Sequence, residues 1–275
     1  MIKDIIVNLS VGKPRDVAGD FAISVASAFD AHLSGVACAY EPVIGGMAFP
    51  GAAVSVIDIF RAESRAEADR AKTAFDENAH RARISADSVV ISATASGAAD
   101  KLGELARDYD LSIVAQAQPD GDVAETLAIE GALFGSGRPV LVVPYIQSSG
   151  LKLDRVMVCW DGSRNAARAV GDAMPFLRRA RTVDVVTVEG RERRNELAGA
   201  RIATHLARRG LKVELRPIVA PDLDVADAIL SYAADTSTDL IVMGGYGHTR
   251  LREFVLGGAT SGILGAMTVP TLMAH

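Results

Sequence analysis

The apolar positions alternate between two spacings along the chain. Short runs of adjacent apolar residues are separated by longer tracts in which apolar residues recur every three or four positions, the patterns of buried strands and amphipathic helices. "DIIVNL" (4–9) predicts a strand, and the tract 15–31 predicts a helix whose face carries Val17, Phe21, Val25 and Ala28. Then come "LSGVACAY" (33–40), a long helical tract (57–84), "SVVISAT" (88–94), a helix over 98–110, "LSIVAQA" (111–117), a short helix and "PVLVVPY" (139–145). The order then restarts. "RVMVCW" (155–160) leads into one helical tract, 163–180, with Ala166, Val170, Ala173, Met174 and Leu177 as its stripe. "VDVVTV" (183–188), a basic helix (192–209) ended by Gly210, "LKVELRPI" (211–218), a helix over 224–237, "DLIVMG" and "VPTLMAH" (269–275) complete it.

Strands alternating with helices predict an α/β fold with parallel pairing and both sheet faces covered. The repetition predicts two tandem Rossmann-like units, each a five-stranded, mostly parallel sheet flanked by helices. The polar stretch "IQSSGLK" (146–152) is the natural linker, which places the units at 1–147 and 153–275. Each unit ends in a proline-led strand, at Pro139 and Pro270. The first unit also inserts "EPVIGGMAFPGAAVSV" (41–56), which reads as either a plain surface loop or a lid.

Composition narrows the function classes. Of 275 residues, 49% are hydrophobic and 23% charged, enough for a substantial core. The formal charge of −5 argues against a nucleic-acid binder. No apolar run approaches the ~18–20 residues of a membrane span, and the start "MIKDIIVNLS" lacks the pattern of a signal peptide. Cys38 and Cys159 lie too far apart in sequence to suggest a disulfide framework. The expectation is a soluble, cytoplasmic protein.

The densest chemical signal is "MGGYGHTRLREFVLGGATSG" (243–262), directly after an apolar strand. Ligands of open parallel sheets sit at the carboxyl ends of the strands, and the N–H groups at a helix N-terminus suit phosphate. Gly244 and Gly247 would clear the strand end, while Gly257, Gly258, Ala259 and Thr260 would open the last helix, the Thr260 hydroxyl adding a donor. Gly262 would serve close helix packing. The bland alternative is a set of glycine-dependent turns. No lysine occurs in the stretch, as Walker A requires, and G-x-G-x-x-G is absent.

Gly244-x-x-Gly247, nine residues, then Gly257 resembles the G-x2-G-x9-G-[ST] signature of ATP-binding universal stress proteins. With "VMVCWDGS" as a first strand and "VPTLMAH" as the last, the whole chain resembles a tandem member of that family. The resemblance implies an adenine nucleotide, ATP, as ligand, optionally with Mg2+, and a stress-response or nucleotide-sensing role. It carries the site over to Asp161 beside the adenosine moiety, preceded by Cys159 and Trp160, to Val188 at the adenine, to Met243 and Gly244 at a strand end, and to Gly247, Gly257, Gly258, Ala259 and Thr260 around the phosphates. Gly258 departs from the signature, which has Ser or Thr, and so loses one hydroxyl hydrogen bond, about 1 kcal/mol. In the first unit Ser10 takes the place of Asp161, while Gln116 and Pro119 fall where Gly244 and Gly247 stand, so no ATP is expected there. The resemblance also implies that the two units pair within the chain like a family dimer, the proline-led final strands meeting antiparallel, and further homodimerisation is compatible with it.

Other residues carry two readings each. His248, with Arg250 and Arg252, is either a clamp on phosphate or a solvated loop face. Cys159 is a redox thiol or, with no base beside it, a small hydrophobe. Trp160 lies over a base or covers the sheet end. The runs "RRAR" (178–181) and "RERR" (191–194) are anion sites or solvated faces. No metal-binding histidine spacing occurs, and neither a nucleophile elbow nor a general base stands out. A non-enzymatic binder is therefore expected. A slow ATPase using the same cleft, and an interaction module without nucleotide, are the alternatives.

Overall fold

In the computed structural model, residues 1–43, 52–118, 121, 123–189, 196–219, 224–246 and 258–275 are described. The first half contains β1 (Asp4–Asn8), α1 (Val17–Phe29), β2 (His32–Tyr40), α2 (Ala52–Ala82), β3 (Ala86–Ala93), α3 (Ala95–Leu105), β4 (Leu111–Ala115), α4 (Val123–Gly135) and β5 (Val140–Val143). The second contains β6 (Arg155–Cys159), α5 (Arg164–Asp172), α6 (Met174–Leu177), β7 (Thr182–Glu189), α7 (Glu196–Ala207), β8 (Val213–Val219), α8 (Val225–Asp235), β9 (Leu240–Gly244), α9 (Ala259–Ala266) and β10 (Thr271–Ala274).

All ten strands form one sheet, ordered β3-β2-β1-β4-β5-β10-β9-β6-β7-β8. Every pairing is parallel except the central one, where β5 meets β10 antiparallel with Thr271 opposite Val142, Leu272 opposite Leu141 and Met273 opposite Val140. That register is symmetric about Leu141 and Leu272, so the halves are related by a pseudo-two-fold axis through the proline-led strands. The inner strands are buried on both faces, which explains their unbroken apolar sequences. Ile5, Val7, Val156 and Val158 pack under α1, α2, α5, α6 and α7. Ile6, Met157, Ile241 and Met273 pack under α3, α4, α8 and α9.

Several expectations shift. The stripe of α1 is Ala18, Phe21, Ala22, Val25, Ala26 and Phe29. Val17 is only half-buried and Ala28 is exposed, because the buried face is centred farther round the helix than those two positions. The tract 163–180 is two helices rather than one. Pro175 falls in the first turn of α6, where its missing N–H is tolerated, and α5 ends just before it at Asp172. The long helix begins at Ala52, inside the stretch read as a loop, while 44–51 lie outside the described residues. The basic helix begins at Glu196, and "RERR" (191–194) also lies outside them.

The halves interlock on both faces of the sheet. Phe29 meets Phe176 edge-on with centroids 4.9 Å apart. On the other face Phe134 of α4 packs against Tyr246 and His275, at 5.1 and 5.0 Å.

Candidate functional site

In the second half the chain runs from β6 outward through β7 and β8, then returns to place β9 on the other side of β6. The crevice at the carboxyl ends of β6 and β9 is thus a topological switch point. Asp161 stands on its rim, exposed, its Oδ1 accepting from the Ser163 N–H at 2.9 Å. Gly162 adopts φ +79°, and Ser163 caps α5 by accepting from the Ala166 N–H at 3.1 Å. This tight turn holds Asp161 at the mouth.

The strand pleat separates residues that are neighbours in sequence. Cys159, Val188 and Met243 pack on the α8–α9 face, whereas Trp160 packs on the α5–α7 face. Trp160 therefore covers the sheet on the side away from α9. Its Nε1 is buried without a hydrogen-bond partner among the described residues, while its backbone N–H extends the ladder to Val186 O at 2.8 Å. Burial, helped by the charge of Asp161, pushes the Cys159 thiol up to about 12, so the thiolate that redox chemistry needs is scarce at neutral pH.

The glycine-rich stretch is built from two stems. At the first, a Cβ on Gly244 would lie 2.6 Å from Ala166 N and 2.8 Å from Asn165 C, so glycine is needed there to let the start of α5 close onto β9. Gly245 donates its N–H to Ala274 O, and its carbonyl accepts from Asn165 Nδ2 at 2.7 Å. Asn165 is 4% exposed and its amide also lies 3.1 Å from His275 Nδ1. Asn165 was not legible as a site residue, since it looks like any polar residue in a helix's first turn. The second stem is α9. Gly258 occupies its cap position with φ +110°, a conformation that side chains rarely adopt, and supplies no side-chain cap. The helix hydrogen bonding starts with Gly262 N–H to Gly258 O, so the earlier N–H groups of α9 lack intrahelical acceptors. Thr260, read as a donor, is buried and accepts from the Tyr246 N–H at 3.1 Å, tying the two stems together. At Gly262 a Cβ would meet Ala226 Cβ at 2.6 Å, which matches the expected packing role.

Thus Asp161, Gly244, Gly258, Ala259 and Thr260 belong to elements converging on the crevice, with Cys159, Val188 and Met243 beneath the α8–α9 face. Gly247, His248 and Gly257, like Arg250 and Arg252, lie outside the described residues. Among the described residues no group of three or more His, Cys, Asp or Glu is placed to hold a metal ion, and no helix is long and apolar enough to cross a membrane.

The first half uses the equivalent region differently. Strand registers equate Ile5 with Val156 and Leu111 with Leu240, so Ser10 does match Asp161. The same registers place Ala115, not Gln116, opposite Gly244, a one-residue correction; Gln116 matches Gly245. Gln116 is 1% exposed, its Nε2 donating to Leu264 O at 2.9 Å and its Oε1 accepting from the Tyr145 N–H. Pro119 lies outside the described residues. The helix preceding the last strand begins at Val123 in the first half and at Ala259 in the second, yet both end the same distance before that strand. Position 127, the counterpart of Gly258, is Leu127 inside α4. The beginning of a helix in one half is therefore the interior of a helix in the other. A cavity of about 400 Å3 remains at the first-half crevice, with Glu63, Glu67 and Glu125 in its lining against Lys13.

Residues 152–275 match the sequence model of the universal stress protein family. A universal stress protein of Synechocystis sp. is 27% identical over 180 residues, spanning 63% of this chain and 60% of that protein. The match thus covers well under two thirds of the curated relative. Among solved structures, a universal stress protein from Archaeoglobus fulgidus superposes with a TM-score of 0.71 at 16% identity, covering 98% of this chain and 97% of the other. A functionally unknown protein from Pseudomonas aeruginosa superposes with a TM-score of 0.61 at 16% identity, covering 99% and 92%. These structures share the α/β, Rossmann-like fold over nearly the whole chain, and residues 152–275 carry the match to the universal stress protein family.

Proposed function

We propose that the chain is a tandem universal stress protein whose second unit (153–275) binds an adenine nucleotide, ATP, and whose first unit (1–147) binds none. The observation that carries this reading is the start of α9. An eight-residue helix opens at Gly258 without a side-chain cap, beside the switch point of the half that matches the family. Its unpaired N–H groups and positive dipole end suit the phosphates. Asp161 at the mouth then serves the ribose, and Val188 and Met243 line the adenine side. A Mg2+ ion would take most of its ligands from phosphate oxygens and water, as this ion commonly does, with the exposed Asp161 carboxylate at the mouth available to it. The protein would act in the cytoplasm as a nucleotide sensor in the stress response, through a conformational change or a partner, rather than by turnover.

Mass spectrometry of ligands co-purifying with the native protein, followed by calorimetric titration with ATP, tests the proposal. Bound adenine nucleotide and a saturable ATP isotherm, lost in Gly247→Glu, are expected. Absence of both in the wild type refutes it.

A further inference from the structure

A second cavity, of about 540 Å3, lies between the two halves. Its volume falls within the roughly 300–1,000 Å3 of small-ligand sites. The first half contributes residues just ahead of β1, β4 and β5, namely Ile2, Asp110 and Pro139. The cavity therefore sits at the amino ends of those strands, opposite the crevice described above. The second half contributes the segment around α5 and α6 together with Arg209, beyond the end of α7.

The charge here runs against that of the molecule. The chain carries a formal −5, yet Arg138, Arg168, Arg178, Arg179 and Arg209 all line this cavity. Its two carboxylates are already engaged. Asp110 accepts the backbone N–H groups of Lys3 and Asp4, at 2.7 and 3.2 Å, and Asp172 pairs with Arg168 at 3.0 Å. Arg179 is held over the Phe29 ring, 4.2 Å from its centroid, and donates to Ala28 O. Arg138 donates only its Nε, to Arg107 O at 3.2 Å. The backbone N–H groups of Arg178 and Arg209 bond back to Met174 O and Leu206 O, and their guanidiniums have no hydrogen-bond or ion-pair partner among the described residues. Four arginines lining one concavity thus have no carboxylate partner among the described residues, and each retains planar N–H donors suited to phosphate or carboxylate. Beneath them lie the apolar side chains of Phe29, Met174 and Ile2, which are buried and form the floor.

We propose that this interdomain groove binds a small organic anion with at least two negative charges and an apolar body, such as an aryl or acyl phosphate. The unpaired arginines take the charge, and Phe29, Met174 and Ile2 take the apolar body. Both halves supply the walls, so the ligand also fastens the halves together and its binding energy adds to the stability of their pairing.

The test uses calorimetry of the full chain with 1-naphthyl phosphate, and with inorganic phosphate and 1-naphthol as the two half-probes. The whole probe is expected to bind more tightly than either half-probe. Binding should weaken with added salt and should fall at least about tenfold in the Arg178→Ala/Arg209→Ala double variant, given the strength of hydrogen bonds between charged groups. Both arginines are exposed, so the variant should keep its circular dichroism and melting temperature without ligand. Ala259→Glu, at the opposite end of the sheet, should leave the affinity unchanged. The proposal is overturned if the wild type ignores 1-naphthyl phosphate, if the double variant binds it as well as the wild type, or if Ala259→Glu abolishes binding.

Discussion

The two halves place the same strands in the same order and then treat one helix end in opposite ways. In the second half α9 starts at Ala259 after Gly258 at φ +110°, leaving an uncapped first turn beside β6 and β9. In the first half α4 starts at Val123 and runs through the corresponding position with Leu127. The N–H groups that could meet an anion are there spent on the helix itself. The crevice above it has three carboxylates in its lining, Glu63, Glu67 and Glu125, with Lys13 already paired to Glu125 at 3.0 Å. A triphosphate brought to that place would meet the wrong charge, and the helix interior where the second half has the start of α9. In the proposed reading, a phosphate site in this scaffold depends on where a helix begins relative to the strand ends.

The sharpest way to break the comparison is to put a charge on the open end of α9. Ala259→Glu sets a carboxylate in the first turn, which favours the helix by roughly 0.3–1 kcal/mol but opposes phosphate. At a partly buried site two like charges about 4 Å apart repel by ~4 kcal/mol. ATP affinity should fall on the order of a hundredfold or more while the melting temperature stays level or rises, as calorimetry and thermal denaturation would report. Equal losses of both would mean that the residue serves only the fold.

Next in size is Gly244→Val. The added Cβ would press on backbone atoms of Asn165 and Ala166, which cannot move without shifting α5. Overpacking of this kind costs about 1–3 kcal/mol, so a urea melt should show an earlier midpoint, with ATP binding weakened through the displaced Asn165. An unchanged midpoint would remove the structural reason given for glycine at 244.

A matched pair separates packing glycines from site glycines. Gly131 and Gly262 stand the same distance before the last strand of their halves, and both lie where two helices touch. A Cβ at Gly131 would be 2.3 Å from Ala99 O, and one at Gly262 2.6 Å from Ala226 Cβ. Gly131→Ala and Gly262→Ala should each destabilise, by on the order of 1 kcal/mol, the first more because it strikes backbone. Gly131→Ala should leave ATP affinity unaltered. The smallest effect expected concerns Cys159, whose thiol is pushed up to about 12. In the native protein Ellman's reagent at pH 8 should label it far more slowly than free cysteine. Rapid labelling would contradict the burial assigned to it.

Much of this fold was legible because buried parallel strands leave an unmistakable trace. "DIIVNL", "LSIVAQA" and "DLIVMG" need no partner to be recognised, whereas the antiparallel meeting of the proline-led strands is expected only through the family resemblance. Register was less legible. Ala115 and Gln116 are equally compatible with a strand end, so matching the halves by glycines alone slips by one residue, which the ladder of β1 and β4 corrects. The pleat that sends Trp160 to one face and Cys159 to the other follows from alternation alone. The roles of Asn165 and Gly244 do not, because they depend on how closely α5 approaches β9. The arginine groove was the least visible feature, since residues 138 and 209 lie in different halves and only the folded chain brings them to one cavity.

The central proposal is that the second half of this molecule takes up a nucleotide at the start of α9 and the first half takes up none. Counting sites tests it most directly, by equilibrium dialysis of the full chain with labelled ATP at saturating concentration. The account predicts one ATP bound per chain in the wild type. Two per chain would show that the first-half crevice also accepts the nucleotide, and none would show that the open end of α9 serves something else; either result contradicts the claim.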